Sequence, residues 1–167
     1  MLVPAKPIDE TERLKALYQL LILDTPPEER FDKIVAFAAS EFDVPIALIS
    51  LLDQDRQWFK AKVGLDACET GRDISFCGHA ILQAGILVVP DALADARFAD
   101  NPLVTGAPFI RFYAGAPLVM PDGHAPGTLC IIDSRPRELD AVDLAILGSL
   151  RDVLVMALAG RQEHGDD

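Results

Sequence analysis

The run Val44-Pro45-Ile46-Ala47-Leu48-Ile49-Ser50-Leu51-Leu52-Asp53 decides how this chain is read. It is β-branched and aliphatic, too short for a long helix, and closes on the polar turn Asp53-Gln54-Asp55-Arg56. That pattern predicts a strand over 44–52 and a hairpin partner over 57–63. In the partner, Trp58 and Phe59 are expected to send one ring to the core and one to the surface. Upstream the period changes to that of a helix. Leu14, Leu17, Tyr18, Leu21 and Ile22 mark one face of a helix over 9–23, with Asp9 able to cap it. Asp24 to Glu28 stops that helix and starts the next, with Thr25 as cap, Pro26 at the first helical position and Glu28 closing a capping box. This second helix buries Phe31, Ile34, Val35 and Ala38 and ends near Phe42.

Downstream, Ala80 to Gln83 reads as part of a short helix and Leu87 to Pro90 as a strand. Arg111 to Met120 and Gly127 to Asp133 read as strands joined through the turn Pro121-Asp122-Gly123. A last helix is expected over 140–161. Two consecutive hairpins imply a mainly antiparallel sheet in an α/β (α+β) domain, with helices on one face. In the last helix Leu144, Leu147, Leu150, Leu154 and Leu158 form one stripe, widened by Val142, Ile146, Val153, Met156 and Ala157. One sheet face needs a stripe of only ~100° or a little more. The surplus is expected to meet either the first helix or a second copy of the chain, which makes a homodimer through terminal helices the expectation.

A length of 167 residues suits one domain, and half of them are hydrophobic. The net charge of -11 disfavours nucleic acid and anionic membrane, which select for basic patches. Three cysteines with no CxxC spacing fit reduced thiols, hence a soluble cytoplasmic protein. No apolar run approaches the ~20 residues of a membrane helix, and Met1 to Asp9 does not read as a signal peptide.

Several segments, taken in order, resemble bacterial GAF domains. They are Arg30-Phe31-Asp32, the run from Val44 to Asp53, Arg56-Gln57-Trp58-Phe59-Lys60, and Ile74-Ser75-Phe76-Cys77-Gly78-His79-Ala80-Ile81. Val88 to Ala92, Phe98 to Pro102, Arg111 to Leu118 and Gly127 to Asp133 complete the set. The resemblance covers about Thr25 to Leu158. It implies a six-stranded antiparallel sheet with helices on one face and a loop-lined pocket on the other. It also implies a regulatory sensor for a small molecule and a histidine kinase or diguanylate cyclase as output domain. The ligand or cofactor is left unknown: the family binds cyclic nucleotides, bilins, haem and small metabolites. The expected division is an N-terminal helix at 1–24, the GAF domain at 25–160 and an acidic tail at 161–167.

The candidate ligand-binding residues on this pattern are Phe76, Cys77, His79, Asp91, Phe98, Arg111 and Tyr113. Cys77 and His79 offer two metal-ligand types two residues apart, but a zinc site wants about four ligands, so no metal site is expected. The bland reading makes Cys77 a small buried residue and His79 a cap or pocket wall. Bilin attachment in related domains uses a cysteine followed directly by histidine, and Gly78 intervenes. Cys68 and Cys77 resemble a cysteine pair of the free methionine-(R)-sulfoxide reductases, a branch of the family. The third, catalytic cysteine of that branch has no counterpart between Asp91 and Gly115, so an enzyme is not expected; a thiol redox enzyme centred on Cys68 and Cys77 and a purely structural dimerisation module are the alternatives to a sensor. A reversible Cys68–Cys77 disulfide would require their Cα atoms within ~7 Å. Asp91, Arg97, Asp100 and Asn101 form either a ligand-facing lid or ordinary turn chemistry. Strand alternation puts Arg111 and Tyr113 on one face and Phe112 on the other, so Arg111 could neutralise an anion or pair with Asp91 or Asp100, and Tyr113 could stack on or hydrogen-bond a ligand.

Overall fold

The computed structural model describes residues 1–165, and side chains as far as Arg161. Chain order is α1 (Glu10–Gln19), α2 (Glu29–Phe42), β1 (Ile46–Leu52), β2 (Arg56–Val63), β3 (Glu69–Gly71), α3 (Phe76–Ala80), β4 (Leu87–Val89), α4 (Pro102–Thr105), β5 (Phe112–Pro117), β6 (Gly127–Asp133) and α5 (Ala141–Gly165). One-turn 3-10 helices at Arg72–Ile74 and Ala92–Ala94 punctuate the middle. The six strands form one sheet in the order β3-β2-β1-β6-β5-β4, every pairing antiparallel. The decisive run therefore lies at the centre of the sheet, and all seven residues of β1 are buried.

Alternation sorts the core into two layers. Ala47, Ile49 and Leu51 of β1, Trp58 and Ala61 of β2, Phe112 and Ala114 of β5 and Leu129 and Ile131 of β6 face α2 and α5. The opposite face carries Ile46, Leu48, Phe59, Tyr113, Cys130 and Ile132 beneath α3 and the loops around α4. Trp58 and Phe59 do part company, but both are buried, at 7% and 6% exposed. Phe59 meets this second core layer, not solvent. The strand Glu69–Gly71 has only three residues and was not legible beforehand.

The helix starts differ from expectation. α1 ends at Gln19, Leu21 takes a left-handed backbone (φ 52°), and Tyr18 and Leu21 are exposed while Leu17 and Ile22 are buried. Asp9 stands at the cap position of α1, yet its carboxylate takes His124 Nδ1 at 2.6 Å. At α2 the cap position belongs to Glu28, not Thr25, and Pro26 precedes the helix. The competitor is Lys60, whose buried amine donates to Thr25 Oγ1 at 2.7 Å and to Pro26 O at 2.6 Å. It also pairs with Glu28 Oε2 at 2.7 Å. The linker between α1 and α2 thus wraps an ammonium group from the sheet, because a buried charge must find acceptors. In contrast, α5 starts on a reciprocal cap: Asp143 N donates to Asp140 Oδ1 at 2.8 Å and Asp140 N to Asp143 Oδ2 at 3.1 Å.

Leu147, Leu154 and Leu158 of α5 are fully buried, whereas Val142, Val153 and Met156 are exposed, as is Phe37 of α2. The apolar surplus of the last helix therefore remains uncovered within one chain. Among the described residues no helix is long and apolar enough to cross a membrane. The acidic side chains expected beyond Arg161 lie outside the described residues.

Candidate functional site

On the sheet face opposite the long helices, a cavity of about 40 Å³ lies between the strands, α3 and the segment 103–110. Its walls are Ile46, Leu48, Phe59, Leu65, Leu103, Pro108, Ile110 and Ile132, with Gln57, Thr70, Phe76, Cys77, Tyr113 and Cys130. Three of the seven expected ligand-binding residues, Phe76, Cys77 and Tyr113, thus meet at one cavity. α3 delivers the first two: Ser75 caps it by accepting from Gly78 N at 3.1 Å, and the short helix turns Phe76 and Cys77 down onto the sheet.

Tyr113 reaches Cys77 because of a glycine. Its side chain lies back along β5 over Gly115, where a Cβ would stand 2.6 Å from the phenol Cζ. Only a residue without a Cβ leaves that channel open. The phenol oxygen then lies 3.1 Å from Cys77 Sγ, and Thr128 Oγ1 donates to the same sulfur at 2.9 Å. Burial alone would push the Cys77 thiol up, but hydrogen bonds from Cys130, Thr128 and Tyr113 outweigh it and hold the thiol below its ordinary value. Hydrogen bonding to Cys77, with burial, pushes the neighbouring Cys130 up. Burial and the nearby Cys77 likewise raise Tyr113.

The other four expected residues do not line the cavity. Phe98 stacks on the far side of Phe76, ring centroids 4.1 Å apart. His79 meets Leu2 O at 3.1 Å through Nε2, fastening the N-terminal segment across α3, and burial pushes its imidazole down. Asp91 caps the following 3-10 turn by accepting from Leu93 N at 3.1 Å. Arg111, expected to meet an anion, donates to the carbonyls of Val104 at 2.9 Å and Ile110 at 3.0 Å. It braces the 103–110 wall from outside. The neighbouring polar loop is turn chemistry as well: Asn101 caps α4 through Leu103 N at 2.9 Å, Arg97 pairs with Asp95, and Asp100 with the amino group of Met1.

Cys68 and Cys77 are free thiols in different settings. Cys68 is exposed, its sulfur 3.9 Å from Lys62 Nζ, while Cys77 is buried among Thr128, Tyr113 and Cys130. Among the described residues no cluster of three or more His, Cys, Asp or Glu side chains gathers.

One residue of the site escaped sequence reasoning. Gln57, 5% exposed, lines the cavity and donates through Nε2 to Thr70 Oγ1 at 3.0 Å. Its Oε1 is buried with no hydrogen-bond partner among the described residues. The signal was available: in the alternation of β2, Gln57 shares a face with Phe59.

An antiparallel six-stranded sheet, helical on one side and hollow beneath short helices and loops on the other, defines a GAF domain. The GAF domain family model matches residues 26–158, and the chain belongs to that family. Over 148 residues it is 50% identical to the cyclic di-GMP phosphodiesterase PA2567 of Pseudomonas aeruginosa, a match covering 88% of this chain and 25% of that protein. The chain thus spans about a quarter of the relative's length. Among solved structures it is similar to the free methionine-R-sulfoxide reductase from Neisseria meningitidis in complex with its substrate, at 18% identity, 98% coverage of each chain and TM-score 0.66. It is similar also to the GAF domain of Acinetobacter phosphoenolpyruvate-protein phosphotransferase, at 20% identity, 93% and 95% coverage and TM-score 0.60. At such identities these structures speak to the fold alone.

Proposed function

We propose that the chain is a regulatory sensor domain. It binds a small molecule in the cavity beneath α3 and conveys its occupancy through α5 to an output domain that degrades a cyclic dinucleotide. The observation carrying this reading is the double role of β5. Tyr113 on one of its faces forms the cavity wall, while Phe112 and Ala114 on the other join the core that holds Leu147, Leu154 and Leu158 of α5. A ligand that favours one placement of Tyr113 acts on the strand under the helix, which is population shift through a shared element. The output class is taken from the phosphodiesterase relative, in preference to the kinase or cyclase expected from family resemblance.

The uncovered stripe of α5 supports a homodimer. Val142, Ala145, Ile146 and Val153 form a shallow apolar groove with Phe37 of α2, and such a surface on a lone domain marks an interaction site. The buried setting of Cys77, against the exposed one of Cys68, gives the thiol-enzyme reading no support.

Native mass spectrometry before and after gentle denaturation tests both halves. A dimer releasing a small mass is the expected result, with Val153→Glu plus Met156→Glu giving monomers. A monomer that carries no ligand and shifts with no metabolite would overturn the reading.

A further inference from the structure

The geometry points to the chemical class of the cavity's ligand: a compact, neutral, largely apolar molecule bearing one hydroxyl group, with Gln57 as its polar anchor. This inference rests on the sensor reading above and narrows it. Three observations carry it.

The cavity is small. At about 40 Å³ it is far below the roughly 300–1,000 Å³ of sites that enclose drug-sized molecules. A single ring or a short branched chain is the scale it can take with modest outward movement of the Leu103–Ile110 wall. A nucleotide would need the whole layer lifted off the sheet.

Among the described residues its lining holds no charged side chain. Two arginines of the flanking loops are already committed, Arg111 to two backbone carbonyls and Arg97 to the Asp95 carboxylate. A phosphate or carboxylate entering here would lose its hydration and meet no cation, and an isolated buried charge of that kind is very costly.

One polar demand in the lining is unmet. The thiol of Cys77 and the hydroxyls of Tyr113 and Thr128 satisfy one another, but Gln57 Oε1 does not find a partner among the described residues. Turning the amide over does not remove the deficit. Thr70 would then donate to Oε1, and the amide nitrogen would be left unpaired instead. A ligand hydroxyl, both donor and acceptor, meets either orientation. Gln57 thereby selects for a hydroxyl, while Leu48, Phe59, Ile110 and Ile132 select for the apolar remainder.

The test uses phenol and toluene, matched in shape and differing by the hydroxyl, titrated into the ¹⁵N-labelled chain and followed by NMR. Phenol is expected to bind about tenfold more tightly than toluene, the worth of one buried hydrogen bond, and to shift the Gln57 side-chain amide signals. In Gln57→Leu the preference should vanish or reverse while toluene still binds, which also shows that the variant is folded. If that variant does not fold, the response of the wild-type Gln57 amide to phenol but not to toluene carries the test. An undiminished phenol preference in Gln57→Leu, or an amide unmoved by phenol, overturns the assignment. Binding of cyclic GMP or cyclic di-GMP with no response to phenol overturns it too but leaves the sensor reading standing. Binding of none of the four compounds overturns the assignment, and native mass spectrometry then decides the sensor reading separately.

Discussion

Gly115→Ala should be one of the most damaging single-methyl changes in the domain, and for a reason specific to Tyr113. The added Cβ would lie 2.6 Å from the phenol Cζ and 2.8 Å from Cε1, and closer still to the hydroxyl oxygen. A ring in a fully buried slot cannot yield by tenths of an ångström, so Tyr113 must leave its channel. Overpacking of this kind costs about 1–3 kcal/mol. Losing the phenol's hydrogen bond to Cys77, 3.1 Å long, adds about 1 kcal/mol. A total of about 2–4 kcal/mol is expected, read as a lowered denaturant midpoint with the slope unchanged. The decisive measurement is a double-mutant cycle with Tyr113→Leu, whose shorter side chain stops before the glycine. In that background Gly115→Ala should be neutral, or stabilising by about 0.5–1 kcal/mol because alanine restricts the unfolded chain. The coupling energy would then be about 2–5 kcal/mol. Equal cost in both backgrounds would refute the account and place the strain in the strand backbone.

Gly127 provides the backbone-limited contrast: a Cβ there would stand 2.8 Å from the carbonyl carbon of Ser50. Gly127→Ala should therefore cost about 3 kcal/mol or more in any background, whereas Gly85→Ala, which meets nothing within 4 Å, should stay within about 0.5 kcal/mol in the same melts. Lys60→Ala should destabilise by about 2–3 kcal/mol in urea titration, since it strips a buried cation from Glu28, Thr25 and Pro26; Lys60→Met should recover part of that through packing. Burial alone would raise the Glu10 carboxyl, but hydrogen bonds and charge from Arg13 and Arg72 hold it at about 2. The folded value lies below the unfolded one, so this contribution is complete above about pH 4.5 and is lost as pH falls toward 2. Allowing for solvent screening it amounts to about 1–2 kcal/mol. Glu10→Gln should flatten the stability curve in that window, and an unchanged slope there would count against the cluster.

The residues that announced the fold did so because their neighbours in sequence share one environment. β1 is buried on both faces, so it reads as a nearly unbroken apolar run. β6 is pinned between a turn and Asp133, and the expected bounds match it. What stayed hidden depended on partners far along the chain. Thr25 looks like a helix cap until Lys60, 35 positions away, takes its hydroxyl. Arg13, a charged residue of the first helix, is 1% exposed and donates to the carbonyl of Leu52. The same holds for the site. Phe76, Cys77 and Tyr113 were legible from pattern, whereas Arg111 reads as a ligand's counter-ion and turns out to hold the cavity wall.

The five residues Arg56-Gln57-Trp58-Phe59-Lys60 show how one strand serves both sides of the proposed mechanism. Arg56 ties the strand to Asp24 at 2.7 Å and to Asp53 at 3.0 Å, Gln57 and Phe59 face the cavity, and Trp58 and Lys60 lie on the helical side. A ligand drawn to Gln57 pulls on β2 just as one pressing on Tyr113 acts on β5, and β1 and β6 lie between the two. The helical layer spans the same width, α2 resting on β1 and β2, α5 on β5, and α2 against α5. Occupancy of a cavity this small would move each strand only slightly. Because packed layers resist continuous deformation, the proposed mechanism would express such shifts as a change in how α2 and α5 sit against each other. That would place the response at Phe37, Val142 and Val153, where the uncovered apolar groove lies. If so, phenol should tighten or loosen the dimer, and Gln57→Leu should abolish that change without altering the dimer's affinity in the absence of phenol. Sedimentation equilibrium with and without phenol measures both, and a dimer constant indifferent to phenol in the wild type would sever the cavity from the helices.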